Sequence, residues 1–240
     1  MKAFLKVIVF IFVLPISAFS QDSSGYSMSA ISAMPAMLHL QRTFIFIDIT
    51  NGFWLSKPDD IKTNLISGGV NFNLAYEIQL VKNIFTIAPG ISFSNVTVKN
   101  NATYQYEFLN DDPEGYTALI PISDSVEYLK NKLSTSFIDI PLELRFRVNP
   151  DERGRNFWIA PGFRIGWLVS DFWKYKYSDG VDKMKTKTYN IKNLETFHYG
   201  ISLRTGFYKF GVYAFYSLSD LFESGTEVTP FTVGITVTPF

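Results

Sequence analysis

Cysteine is absent from the 240-residue chain. That excludes disulfides, thiolate metal sites, a cysteine nucleophile and a cysteine-linked lipid anchor. Histidine is scarce, and His39 and His198 do not stand at the spacing of a zinc site. Charge of one sign is missing too: 22 basic and 22 acidic residues cancel, so no global field recruits nucleic acid. Glycine-rich phosphate cradles and nucleic-acid signatures are lacking, and no cofactor is implied. Beyond the first residues, no apolar run reaches the roughly 20 residues that a membrane-spanning helix needs. The mean hydropathy of +0.08 is likewise too polar for a helical membrane bundle.

Aromatic side chains are abundant instead, at 17% of the chain, with 23 Phe and 13 Tyr. Residues 1–20 read as a signal peptide: Lys2 and Lys6 make the basic start, residues 7–14 are apolar, and small Ala18 and Ser20 precede a cut before Gln21. Residues 21–41 are rich in Ser, Met and Ala and predict a loose periplasmic lead-in. From Arg42 onward the pattern has period two, the signature of strands whose two faces meet different surroundings.

Residues 137–148 show it best. One phase reads Ile138, Ile140, Leu142, Leu144, Phe146, Val148; the other includes Asp139, Glu143, Arg145 and Arg147. A one-residue slip would move every side chain to the opposite face, so the register is strongly specified. Similar splits recur near residues 44–50, 70–80, 85–97, 157–169, 197–204, 212–218 and 231–237. This predicts an all-β fold, a closed antiparallel transmembrane β-barrel of about eight strands spanning residues 42–240. Short turns near residues 81–83, 149–156 and 208–209 alternate with long polar segments at 56–65, 99–134, 171–195 and 219–229. That asymmetry predicts short periplasmic turns and long extracellular loops. Pro89-Gly90 and Pro161-Gly162 fall at equivalent points of successive hairpins and predict bulges or kinks.

Alternation alone does not say which phase faces inward, since a soluble barrel shows the same period with the faces reversed. Lysines from Lys57 to Lys209 are read into loops, turns and strand ends, which a water-facing wall would not require. The polar phase of the third and last strands is built from Gly, Ala, Ser and Thr, suited to a crowded narrow lumen. Aromatics gather toward strand ends: Trp54, Phe172, Trp173, Tyr175, Phe197 and Tyr199 at one rim, and Phe146, Phe157, Trp158, Phe207 and Tyr208 at the other. Two such belts are expected where a wall crosses two interfaces. The polar phase therefore points inward and carries Asp48, Glu77, Asp139 and Glu143 against Arg145, Arg147, Arg164 and Arg204. This lumen charge network is expected to serve as a structural plug or a gate.

Catalysis has one candidate centre, His198, which shares the lumen phase with Ser202 and lies near Glu195; spacing along one strand does not place them in hydrogen-bond reach. The acidic run at residues 110–114 lacks the order of a dedicated calcium loop. Lys183, Lys185 and Lys187 alternate in a long loop, which reads first as an ordinary solvated segment and, as the alternative, as a contact for lipopolysaccharide phosphates or an extracellular polyanion.

The stretch Ser136-Phe137-Ile138-Asp139-Ile140-Pro141-Leu142-Glu143-Leu144-Arg145-Phe146 resembles the central strand of the PorT-like outer-membrane β-barrel family. Gly162, Gly166 and the segment Ser217-Leu218-Ser219-Asp220-Leu221-Phe222 are similar to it as well. The resemblance implies the outer membrane as location, outer-membrane lipid and lipopolysaccharide as surroundings, and envelope or type IX secretion proteins as partners. The family's early secretion-associated segment has no counterpart here, and Phe240 departs in phase from the usual terminal aromatic signal. The expectation is a non-enzymatic envelope or secretion-associated barrel. A narrow channel or small-solute binder with a charged lumen is the alternative, and a lumen-edge lipid-modifying enzyme the third reading.

Overall fold

A computed structural model of the protein describes residues 42–81, 84–108, 115–123, 128–148, 155–178 and 183–238. The chain divides into Met1–Met37 and Leu38–Phe240, and all described residues belong to the second unit. The expected leader, the lead-in, the acidic run at residues 110–114 and Phe240 lie outside the described residues.

Valine, isoleucine, phenylalanine and tyrosine on every second residue favour extended chain over helix, and the named elements are all strands. They are β1 (Arg42–Leu55), β2 (Gly68–Val81), β3 (Phe85–Lys99), β4 (Ala102–Glu107), β5 (Tyr116–Pro121), β6 (Tyr128–Val148), β7 (Phe157–Ser178), β8 (Lys183–Tyr189), β9 (Phe197–Phe207), β10 (Phe210–Ser217) and β11 (Thr229–Val237). Antiparallel pairing runs β1–β2–β3–β6–β7–β9–β10–β11 and returns through β11 to β1. The wall is a ring of eight strands, and closure leaves no unpaired edge in it.

Ile140 and Leu142 are 46% and 44% exposed on the outside of the ring, while Asp139 and Glu143, which flank them, are 0% and 1% exposed. The apolar phase therefore forms the lipid-facing band and the charged phase fills the lumen. This is the reverse of a soluble barrel.

Two expectations about the strands and their connections are corrected. The long segments at residues 99–134 and 171–195 are not simple loops. β6 has 21 residues and β7 has 22, about twice the roughly 9–11 needed to cross a bilayer. Both continue above the membrane, where β8 pairs with β7, and β4 and β5 form a separate hairpin. Lys130, Lys132, Lys174, Lys176, Lys185 and Lys187 accordingly sit within strands, in these extensions. Nor do the Pro-Gly pairs mark bulges. Pro89 opposite Leu142 and Pro161 opposite Leu203 lie in unbroken register; the shifts fall at Gln79/Val81, Tyr128/Lys130 and Ser136/Phe137. Glycine there answers crowding instead: a Cβ on Gly90 would lie 2.6 Å from the Leu74 carbonyl oxygen.

The extracellular mouth is capped by an apolar cluster that includes Ile61, Leu119, Leu194, Leu221, Phe222 and Val228. Trp54, expected in the outer aromatic belt, is buried in this cluster. Trp173 also turns inward, edge-on to Tyr104 at 5.3 Å, and its indole N–H donates to Asn131 Oδ1. Burial raises the Tyr104 phenol well above its ordinary range. The bulge at Ser136/Phe137 explains the turn: it shifts the phase of β7 relative to β6, so Trp173 changes sides. Placing arginine at Leu142, near the middle of the lipid-facing band, is expected to cost about 2–4 kcal/mol. Urea titration of the barrel refolded in liposomes measures this, and a stability equal to wild type would contradict the orientation of the wall.

Candidate functional site

The inward phase delivers all eight expected charged residues to the lumen, in two tiers. The lower tier is a continuous chain of ion pairs. Arg147 pairs with Glu77, and Glu77 Oε1 accepts from Arg145 Nη1 at 3.3 Å. Arg145 Nη2 donates to Glu143 Oε2 at 2.8 Å; Glu143 pairs with Arg204, and Arg204 Nη2 donates to Asp48 Oδ2 at 2.7 Å. Polar neighbours complete Asp48. The Asn71 and Asn73 amides donate to Oδ2 at 3.1 and 3.0 Å, and the Thr236 hydroxyl donates to Oδ1 at 2.7 Å. The guanidiniums also lie on aromatic faces: Arg204 is 4.4 Å from the Phe46 ring centre and 4.3 Å from that of Tyr213, and Arg145 is 4.0 Å from Phe44. Such contacts suit a cation stripped of water.

The upper tier centres on Asp139. Its Oδ2 accepts from the Ser94 hydroxyl at 2.7 Å and from Arg164 Nη1 at 3.3 Å, and its Oδ1 stands 2.6 Å from His198 Nε2. Phe137 stacks on the imidazole at 3.9 Å between ring centres. Gly166 makes the arrangement possible, because a Cβ there would lie 2.0 Å from Asp139 Oδ1 and 2.6 Å from His198 Nε2. This geometry is not that of a hydrolase triad. In a triad the histidine bridges serine and acid; here the aspartate bridges Ser94 and His198. Ser202 lies opposite Gly162 on the neighbouring strand, two residue pairs from Arg164 and four from His198. Above this tier a chamber separates the plug from the apolar cap.

Sequence reasoning set Asn71, Asn73 and Ser94 on the polar phase but assigned only the charges to the site, leaving out these three and Tyr213, Phe44 and Phe46. The signal was present: each shares the inward phase of its own strand, and the partners of a buried charge are to be sought on that phase.

A second feature lies on the outer face above the lipid-facing band. Register places Lys130, Lys176 and Lys185 in one cross-strand row of β6, β7 and β8, and Lys132, Lys174 and Lys187 in the next. Below them come Ser134, Phe172 and Tyr189, with the Lys187 ammonium 4.0 Å from the Phe172 ring centre. Like charges facing each other across strands are destabilising. Partial burial, then Lys130, Lys174, Lys187 and Lys99, hold the Lys132 ammonium below the ordinary lysine range. Lys174 is lowered in the same direction, by desolvation and then by Lys185, Lys176, Lys130 and Lys187. Among the described residues, no carboxylate forms an ion pair with any of the six.

A closed ring with an oily exterior and an ion-paired interior defines an outer-membrane barrel. Residues 23–223 match the family described as outer membrane protein beta-barrel domain, and the chain belongs to that family. The protein resides in the outer membrane. No curated protein matches the chain. Among solved structures it is similar to Ail, the attachment invasion locus protein of Yersinia pestis, crystallised with the heparin analogue sucrose octasulfate. The identity is 14%, over 82% of this chain and 98% of Ail, with a TM-score of 0.33. A mutant of the Rh. blastica porin is 8% identical over 83% of this chain and 100% of the porin, with a TM-score of 0.22.

Replacing Arg204 with alanine is expected to strand Asp48 and Glu143 without their shared cation. Removing one partner of a buried pair costs about 3–5 kcal/mol. Denaturant titration followed by tryptophan fluorescence checks this, with Lys62→Ala, an exposed side chain between β1 and β2, as a control that leaves stability near wild type.

Proposed function

We propose that this barrel is sealed and non-enzymatic and that it acts through its outer surface, where the lysine field engages the phosphates of outer-leaflet lipopolysaccharide. The observation that carries the first half is the unbroken chain from Arg147 through Glu77, Arg145, Glu143 and Arg204 to Asp48. It crosses a lumen that about eight strands leave only wide enough for side chains. A conducting path would have to part several desolvated ion pairs at once. Ser94 donates to Asp139 and not to the His198 imidazole, so the serine is not set against a base, which supports a non-enzymatic reading.

The lysine rows carry the second half. They face outward directly above the Phe172 and Tyr189 row, the level at which lipid headgroups meet a barrel wall. Mutual repulsion makes the rows costly alone, and bound phosphate relieves it. The PorT-like pattern of residues 136–146 supports a place beside envelope-assembly or secretion components, which the long β6–β7–β8 extension would contact.

In planar bilayers the protein is expected to give no unitary conductance steps; clean steps abolished by neutralising Arg145 would favour a channel instead. His198→Ala is expected to leave the envelope lipid profile unchanged, whereas loss of a lipid modification would make the barrel an enzyme. Vesicles containing lipid A are expected to bind the detergent-solubilised protein in a salt-sensitive way. The combined Lys130→Gln, Lys176→Gln and Lys185→Gln variant should bind more than about tenfold more weakly. Because Lys132 and Lys174 lose their protons below the ordinary lysine range, binding should fall before the pH reaches about 10.4. In that same interval the unfolded chain holds more protons than the folded one, so stability of the extension rises with pH. Binding unaffected by salt, pH and the triple substitution would overturn the lipid contact.

A further inference from the structure

The upper tier leaves one cation incompletely used. Arg164 is buried, with its side chain 3% exposed, and spends Nη1 on Asp139. Its Nε and Nη2 make no well-aligned hydrogen bond, and neither does the buried hydroxyl of Tyr213, whose interaction with the guanidinium is close but poorly directed. Nε and Nη2 form the side edge of the guanidinium, the edge whose two parallel N–H bonds match both oxygens of a carboxylate. Buried donors without acceptors are rare and ask for an explanation.

Arg164 and Tyr213 line the floor of the chamber between plug and cap, which measures about 50 Å³. That is space for about three to five water-sized groups. The walls and roof are mainly apolar, with Trp54, Leu168 and Leu194 among them and Thr135, Ser217 and Thr232 interspersed. Glu195 and Asp220 lie at the chamber's edge and repel an anionic head from the roof. The polarity is thus directional: a planar anion fits the floor, and a hydrocarbon chain fits above it. A hydrated cation would meet Arg164. Inorganic phosphate would leave the apolar walls unfilled. A long lipid chain exceeds the volume.

We infer that the chamber is a binding site for a short-chain aliphatic carboxylate, gripped by the open edge of Arg164 with the Tyr213 hydroxyl as a further donor, its chain lying against Trp54 and Leu168. The ligand completes the hydrogen bonding of the upper tier and neutralises a guanidinium whose carboxylate partner is shared with His198. Entry requires the cap to part, since Leu194 and Leu221 belong both to the cap and to the chamber.

The test is calorimetric titration of the refolded full chain in detergent with butyrate, with butyramide and inorganic phosphate as comparators. Butyrate is expected to saturate a single site, and both comparators to bind more than about tenfold more weakly. Tyr213→Phe should weaken butyrate several-fold, and Leu168→Trp, which fills the chamber away from the ion pairs, should abolish it. Arg164→Lys keeps the charge but loses the two-pronged edge and should bind poorly; where that variant fails to refold, Leu168→Trp decides. Absence of saturable butyrate binding, equal binding of butyramide or phosphate, or undiminished binding by Leu168→Trp would overturn the inference. None of these outcomes bears on the sealed lumen, which conductance reads independently.

Discussion

Everything in this wall depends on neutralising inward-pointing charge at contact distance. About eight strands enclose a lumen that side chains fill, so a guanidinium placed there has no bulk water to return to. Taking an ion out of water costs several kcal/mol even after relaxation, and only close, well-oriented partners recover it. The protein meets this with arginine, never lysine, among the described lumen charges. A planar fork can hold two carboxylates at once, as Arg145 holds Glu77 and Glu143. The aromatic faces of Phe44, Phe46 and Tyr213 take the flat sides of the guanidiniums. The lower tier is therefore both the packing core and the seal of the barrel.

The same constraint divides the molecule along its axis. Below the chamber the interior is ionic; above it, loop residues and strand ends build an apolar cap over the mouth. The cap is the only compact hydrophobic cluster of its size among the described residues, because most other large apolar side chains of the wall face lipid and the few inward ones pack on guanidinium or imidazole groups. Lysine appears where water is available, on the outward face of the β6–β7–β8 extension. Arginine inside and lysine outside follow from how strongly each holds its hydration: the ammonium stays near water, while the guanidinium accepts a desolvated, bidentate setting. The upper tier sits at the junction, and there the bonding is incomplete.

The orientation of each strand was legible because a period of two leaves only two choices. The lack of lysine in the membrane-crossing strand bodies, together with the small residues of one phase, separates them. The eight lumen charges follow from that choice alone. The Pro-Gly pairs misled because composition marks a break in local preference, not its cause. In Gly90 the cause is a neighbouring backbone carbonyl, and in Gly162 it is the Ser202 hydroxyl and the Leu142 carbonyl. Trp54 and Trp173 misled because position near a strand end says nothing of phase: Trp54 keeps the inward phase of Asp48 in unbroken register, and Trp173 is turned inward by the bulge at Ser136/Phe137.

By itself the sequence determined which side chains meet lipid and which meet one another, since that information is local and repeats every second residue. Only the tertiary structure decided which carboxylate each arginine holds, that the long segments continue as strands aligning six lysines in two rows, and that a chamber remains above Arg164. Those outcomes depend on register between strands far apart in the chain, such as Asp48 and Arg204 brought together by ring closure, and no window of local sequence encodes that register.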